Sequence, residues 1–119
     1  MSASDCPVDV ETLDMLRELA DEDNPDFFEE LMESYMGDAK TLAENLQEGA
    51  RNADLDLMAR SAHTLKSSSA NIGANGLAAL CAELERRTRT ETSIPDAPDR
   101  ANEITASLEV VLKFIANLD

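Results

Sequence analysis

Aromatic side chains are scarce in this sequence. Its 119 residues include no tryptophan, one tyrosine and three phenylalanines, although 43% of the chain is hydrophobic. The core must therefore be built mainly from leucine, alanine, methionine, isoleucine and valine, a composition that suits helices. The length allows one hydrophobic core but not two, so we expect a single domain over residues 1–119.

Basic residues are also few, with 10 lysines and arginines against 25 acidic residues and a formal net charge of −15. This balance argues against nucleic-acid binding, because the phosphate backbone would be repelled rather than neutralised. It argues equally against binding to an anionic membrane surface. We therefore expect neither a nucleic acid nor a membrane as a partner.

Long apolar runs and cysteine clusters are both missing. No stretch approaches the roughly 20 apolar residues of a membrane-spanning helix, and the first residues, MSASDCPVDVE, lack the features of a secretion signal. The expected location is therefore the cytoplasm. The two cysteines, Cys6 and Cys81, have a spacing that suggests neither a redox pair nor a metal site. Cys81 lies on an apolar helical stripe and is expected to be a buried free thiol.

Apolar residues recur at three- and four-residue steps along most of the chain, which predicts helices. After a flexible lead of residues 1–9, a short helix spans Val10 to Ala20 and is expected to pack across one end of the domain. A long helix follows, with Asn24 as its N-cap and Pro25 as its first residue. It is expected to end in a loop around Glu48 to Ala53.

The boundaries of the next two helices are marked by local signals. Asp54 is a good N-cap for the third helix, and Gly73 is expected to end it. The fourth helix starts at Asn75 or Gly76 and runs to about Thr90. The third of these helices carries the only histidine of the chain.

A linker over residues 90–98, with two of the four prolines, precedes the last helix. That helix carries a heptad-like apolar stripe, which can close a bundle or form a coiled coil. Bundle closure is favoured because three other helices also have one apolar face to bury. The predicted fold is all-α, an antiparallel up-down four-helix bundle with a short N-terminal capping helix.

The single histidine, His63, lies in the run AHTLKSSSANIGA at residues 62–74. At about 100° per residue, His63 lies roughly 130° from the centre of the buried stripe of its helix, so its imidazole should face solvent. Lys66 and Ser67, three and four residues further on, share that helical surface. The pattern predicts an accessible nucleophile with a fixed positive charge beside it.

Downstream of this run, the next helix carries Leu77, Leu80, Cys81, Leu84 and Glu85. Together with the run, this pattern closely resembles the histidine-containing phosphotransfer (HPt) domains of bacterial phosphorelays. In that family the histidine accepts a phosphoryl group from an aspartyl phosphate on a receiver domain and passes it to another receiver. By the resemblance, His63 is the phosphorylated residue and Lys66 is the charge that steadies the phosphoryl group.

One position departs from the commonest pattern of the family, which has glycine four residues after the histidine. This chain has Ser67 there. Serine is small, so we expect access to His63 to survive, while the effect on transfer rate and partner choice stays open. Small residues near the histidine, Ala59 and Ala70, are expected to belong to the surface on which a receiver docks.

The chemistry needs little beyond the imidazole, since a neutral ring nitrogen can attack a phosphoryl group to give a phosphoramidate. The sequence has no glycine-rich nucleotide loop, so we expect a carrier without ATP binding, kinase activity or a cofactor or metal of its own. The resemblance implies that a partner receiver supplies Mg²⁺ and the aspartate. The expected partners are response-regulator receiver domains, a hybrid sensor histidine kinase, or both, and a monomer is expected.

Alternative interpretations stay open. The protein could be a helical docking module for receivers that does not transfer, and Ser67 is the one feature that favours this. A di-iron bundle needs Glu-x-x-His from two helices, whereas Arg60 stands three residues before the one histidine here, so the sequence argues against a di-iron or other metal-binding bundle. The basic cluster Arg86, Arg87 and Arg89 is interpreted as a helix terminus or as a patch that orients the receiver or phosphoryl group. The sequence does not identify the donor, the acceptor, the direction of transfer or the output, nor whether the chain is a domain of a larger kinase.

Overall fold

The computed structural model describes residues 7–20 and 22–118, which contain five α-helices and no strand. The helices are α1 (Val10–Glu18), α2 (Phe27–Arg51), α3 (Leu55–Asn71), α4 (Asn75–Thr90) and α5 (Ala97–Ala116). α3 packs against α2 and α4, and α5 packs against the same two helices from the other side. The predicted all-α four-helix bundle is thereby confirmed. Within the described part of the chain, no helix has the length and apolar character needed to span a membrane.

The core of the bundle is aliphatic, with one stripe from each of the four long helices. Its fully or almost fully buried members include Met32, Ala39 and Leu46 of α2, Met58, Ala62 and Leu65 of α3, Leu77, Cys81 and Leu84 of α4, and Ala101, Ile104, Leu108, Val111 and Ile115 of α5. Burying one such leucine or isoleucine contributes roughly 1.5–3 kcal/mol to stability. The apolar stripe of α5 packs against α2 and α4, so it closes the bundle instead of forming a coiled coil.

Two polar side chains in this core bear on the sequence predictions. Cys81 is fully buried, and burial raises the pKa of its thiol to about 12, so it behaves as the expected apolar side chain. Cys6 lies outside the described residues. Ser69 is buried on the stripe of α3, where its hydroxyl shares a 2.8 Å hydrogen bond with the hydroxyl of Tyr35 on α2.

Val8 and Asp9, at the end of the predicted flexible lead of residues 1–9, contact the rest of the domain. Residues 1–6 lie outside the described part, but Val8 is fully buried, and the backbone N–H of Asp9 donates to the carbonyl of Gly73 at 2.9 Å. Gly73 has a φ of 88°, and a Cβ there would lie 2.9 Å from the Cβ of Thr12 on α1. A lone valine in a polar segment has no periodicity, so the sequence could not reveal this packing.

Three helix boundaries differ from the sequence predictions. α1 ends at Glu18 and not Ala20, and α2 begins at Phe27, because Pro25 lies in a preceding turn. Proline suits a turn and a first helical position equally well. α5 begins at Ala97, inside the predicted linker of residues 90–98, with Pro98 in the first turn, where no N–H is required.

The loop predicted around Glu48 to Ala53 is also wrong, because α2 continues to Arg51. Gly49 is buried inside the helix, and a Cβ there would lie 2.9 Å from the Cγ of Met58 on α3. This glycine therefore allows two helices to approach closely and does not end one. The turn is made by Ala53, with a φ of 53°, before α3 begins.

Candidate functional site

His63 projects from the middle of α3, and 56% of its side chain is exposed. The helix is capped by Asp54, whose carboxylate accepts from the backbone N–H of Leu57 at 3.1 Å. Its opposite face is fixed in the core by Met58 and Leu65. The imidazole is therefore presented to solvent by a rigid element, as the helical spacing predicts.

The Nδ1 atom of His63 lies 2.9 Å from Oε2 of Glu85, a residue of α4 whose side chain is only 4% exposed. The ammonium of Lys66 donates to Oε1 of the same carboxylate at 2.6 Å. The guanidinium of Arg89, one turn further along α4, donates through Nη2 to Oε2 at 2.5 Å. One buried carboxylate thus joins three basic side chains from two helices.

Glu85 is ionised in this setting. The hydrogen bond from Lys66 lowers the pKa of its carboxyl, with further lowering by His63 and Arg89, while burial acts in the opposite direction. The net shift is downward. An ionised carboxylate in the interior is stable only when opposite charges and hydrogen bonds compensate it, and this one has both.

The ionised state of Glu85 determines which nitrogen of His63 is nucleophilic. A carboxylate has only acceptors, so Nδ1 must carry the hydrogen of the 2.9 Å hydrogen bond. The neutral ring then has its lone pair on Nε2, the nitrogen that Glu85 does not contact. The geometry therefore orients the imidazole and selects Nε2 for reaction with an electrophile.

An open pocket of about 480 Å³ lies at the imidazole. Its lining residues are Ala59, Arg60, His63, Thr64 and Arg89. Two of these five carry guanidinium groups, in a chain with only ten basic residues. The pocket is therefore suited to an anion.

The other predicted site residues occupy different places around His63. Lys66 is half-buried, with 34% of its side chain exposed, and its ammonium contacts Glu85. Ser67 is exposed one turn beyond His63, and Ala70 is exposed further along α3. Ala59 is half-buried and lines the pocket, so it is less exposed than expected. Among the residues that the structure describes, no cluster of three or more histidine, cysteine or acidic side chains could hold a metal ion.

Glu85 is the residue of the site that sequence reasoning missed, since it entered only as part of the family resemblance. A signal for it does exist. Glu85 follows Cys81 by four residues, which places a carboxylate on the buried stripe of α4. A carboxylate in such a position requires basic partners, and Lys66 and Arg89 supply them.

The basic cluster at the end of α4 divides into separate roles. Arg87 donates to Asp96 through Nη2 at 2.7 Å and to Glu91 through Nε at 2.8 Å, which fixes the connection to α5. The hydrogen bonds from the Arg87 guanidinium lower the pKa of Asp96 to about 2. Arg86 is exposed, and no ion pair to it occurs within the described residues. Of these three arginines, Arg89 is the one that contacts Glu85 and lines the pocket at His63.

Comparison with known proteins identifies the family and the fold of the chain. A family model for the Hpt domain matches residues 30–114. A search of curated proteins gave no match. Among solved structures, the chain is similar to histidine-containing phosphotransfer protein B (HptB) from Pseudomonas aeruginosa PAO1, with a TM-score of 0.85 and 24% sequence identity over 97% of this chain and 94% of that one. At this identity the structural likeness shows the fold, whereas the family model covers most of the sequence. The chain belongs to the Hpt domain family.

Proposed function

We propose that this protein is a phosphorelay carrier, which accepts a phosphoryl group on His63 from the aspartyl phosphate of one receiver domain and passes it to another. The observation that carries the proposal is the hydrogen bond between Nδ1 of His63 and Glu85. It leaves Nε2 of an exposed imidazole with a free lone pair in front of a basic pocket. Family membership supports the same assignment.

The transfer step can be written with these groups. The Nε2 lone pair attacks phosphorus, and the bond between phosphorus and the aspartyl oxygen breaks, so the receiver's carboxylate leaves with the electron pair. Nδ1 keeps its proton, and the ring becomes a phosphorylated imidazolium. The Glu85 carboxylate, 2.9 Å from Nδ1, stabilises the positive charge that develops on the ring. Attack by the carboxylate of the second receiver reverses these steps.

Lys66 contributes positive charge to the site in this scheme. One of its three N–H donors is used on Glu85, and the others are available to the phosphoryl oxygens. The receiver would supply the aspartate and a divalent cation, and the cation would offset the negative charge of the acyl phosphate. The carrier acts as a monomer without nucleotide, and Ala59, Ser67 and Ala70 form part of the surface that a receiver contacts.

The experiment that tests the proposal mixes the protein with a phosphorylated receiver and Mg²⁺ and follows the label on wild type and on His63→Gln. We expect an acid-labile, base-stable label on the wild type only, with the variant retaining its helical circular dichroism spectrum. A label on His63→Gln would refute the assignment of His63. Wild type without label, tested with several receivers, would favour the docking module instead, and Ser67→Gly would be the next variant to examine.

A further inference from the structure

The pocket beside His63 contains a second feature that the transfer step does not use. Its two guanidinium groups belong to Arg60 of α3 and Arg89 of α4, which lie on the same pocket as the imidazole but on different helices. Lys66 is not among the residues that line the pocket, and one N–H of its ammonium donates to Oε1 of Glu85. The basic groups that line the pocket itself are the two arginines.

Arg89 is free to exchange its partner. Its side chain is 68% exposed, and its one ion pair in the described chain uses Nη2 alone of the five donors that a guanidinium carries. If Arg89 left Glu85, the carboxylate would keep its hydrogen bonds from Lys66 and His63. Glu85 would thus stay compensated, and the departure of Arg89 would leave no unpaired buried charge.

Arg60 is held even less firmly. Its side chain is 69% exposed, and its ion pair, with Asp56 at 3.1 Å, is an exposed contact one helical turn apart. Exposed pairs of this kind contribute little to stability, so they compete weakly with a dianionic ligand. Arginine also matches the oxygens of a phosphoryl group with two parallel donors, which a lysine ammonium cannot do.

We infer that Arg89, assisted by Arg60, is a phosphoryl clamp that engages only after His63 has been phosphorylated. In the free protein Arg89 contacts Glu85. In the phosphorylated protein it turns to the phosphoryl oxygens on Nε2, while Lys66 and His63 retain Glu85. The clamp stabilises the phosphorylated carrier relative to the phosphorylated receiver, and so sets how far the transfer equilibrium lies toward this protein. The inference rests on the proposed function of His63.

The test compares wild type, Arg89→Gln and a matched control, Arg86→Gln, which removes the same charge three residues earlier on the same helix. Each protein is equilibrated with one phosphorylated receiver and Mg²⁺, and the ratio of phosphorylated carrier to phosphorylated receiver is measured. We expect Arg89→Gln to lower this ratio roughly tenfold, the effect of losing one charge-assisted hydrogen-bonded pair. Arg60→Gln should lower it about two- to threefold, and Arg86→Gln should leave it near the wild-type value. Equal ratios for Arg89→Gln and Arg86→Gln would overturn the inference.

A second measurement separates the clamp from the proposed function and from a purely structural effect. The proteins are phosphorylated on histidine with potassium phosphoramidate, without any receiver, and the ¹⁵N signal of the Arg89 side chain is followed by NMR. The clamp predicts that the Arg89 signal of the wild type shifts on phosphorylation. It also predicts that His63 of unphosphorylated Arg89→Gln keeps its proton on Nδ1, as in the wild type. An Arg89 signal unaffected by phosphorylation would refute the clamp, even if transfer from receivers succeeds. A phosphorylated protein that no receiver accepts would contradict the proposed function alone. Arg89→Lys, which keeps the charge but loses the paired donors, provides an intermediate variant if Arg89→Gln does not fold.

Discussion

Two ion-pair clusters lie almost side by side on α4, and their charge balance is opposite. At Glu85, one buried carboxylate receives three basic partners, two of which are largely exposed. At Arg87, the guanidinium is divided between Glu91 and Asp96, and Arg100 pairs at 3.7 Å with Asp96 and with Glu103, so three carboxylates balance two guanidinium groups. The first cluster has basic groups to spare for an anionic ligand, whereas the second has none. A surplus of basic groups, and not the presence of ion pairs, therefore distinguishes the site from the structural contact.

Among the variants at these two clusters, Glu85→Gln should have the largest effect on phosphotransfer. The amide removes the charge that orients Nδ1–H and stabilises the imidazolium in transfer. A hydrogen bond to a charged group is worth about 1.5–3 kcal/mol, so we expect phosphotransfer to slow roughly 10- to 100-fold. The measurement is the rate of label transfer from a receiver under single-turnover conditions. Glu83→Gln makes the same substitution at an exposed position of α4 and should leave the rate unchanged. A Glu85→Gln rate equal to that of Glu83→Gln would contradict the role of Glu85.

The contribution of Glu85 to stability should also depend on pH in a defined direction. The pKa of Glu85 is lower in the folded protein than the ordinary glutamate value of about 4.3, mainly because Lys66 donates to the carboxylate. The unfolded chain therefore takes up this proton first as pH falls. The contribution of Glu85 to stability is complete above about pH 4.3 and is lost as pH falls through the folded pKa. The free energy of unfolding, measured by denaturant titration, should differ between wild type and Glu85→Gln by less in acid than at neutral pH. A difference independent of pH would show that the charge of Glu85 makes no contribution.

Arg87→Gln should separate the second cluster from the first. The substitution releases the connection between α4 and α5, so we expect Tm to fall by a few degrees. Labelling of His63, measured well below Tm, should be unchanged because Arg87 does not contact the pocket. Arg86→Gln is again the matched control and should shift Tm less. A transfer defect in folded Arg87→Gln would show that the two clusters are coupled.

Ser67→Gly should have the smallest effect. It restores the residue commonest in the family at an exposed helical position and should cost about 0.5 kcal/mol of stability through the lower helix propensity of glycine. We expect the transfer rate to change far less than in Glu85→Gln, because Ser67 is not among the residues that line the pocket. Thermal unfolding and single-turnover transfer measure the two quantities. Transfer that appears only in Ser67→Gly would support the docking module.

The sequence was sufficient for the part of this site that lies on one helix. Spacing along α3 predicts that His63 faces solvent beside Lys66, because both positions belong to the same helical surface. The pairing of His63 with Glu85 depends on how α4 packs on α3, and helical periodicity within either segment contains no such information. The same limit applies to Gly49. Its small size allows the contact with Met58 on α3, but in the sequence it was indistinguishable from a glycine in a loop.

The central claim is that Glu85 keeps the proton on Nδ1 and so directs phosphorylation to Nε2 of His63. His63 is the only histidine of the chain, so a long-range ¹H–¹⁵N NMR spectrum reports its two ring nitrogens without overlap. The account predicts protonated Nδ1 and unprotonated Nε2 in the free protein, and phosphorus coupling to Nε2 after phosphorylation. A free protein with the proton on Nε2, or a phosphoryl group on Nδ1, would contradict it.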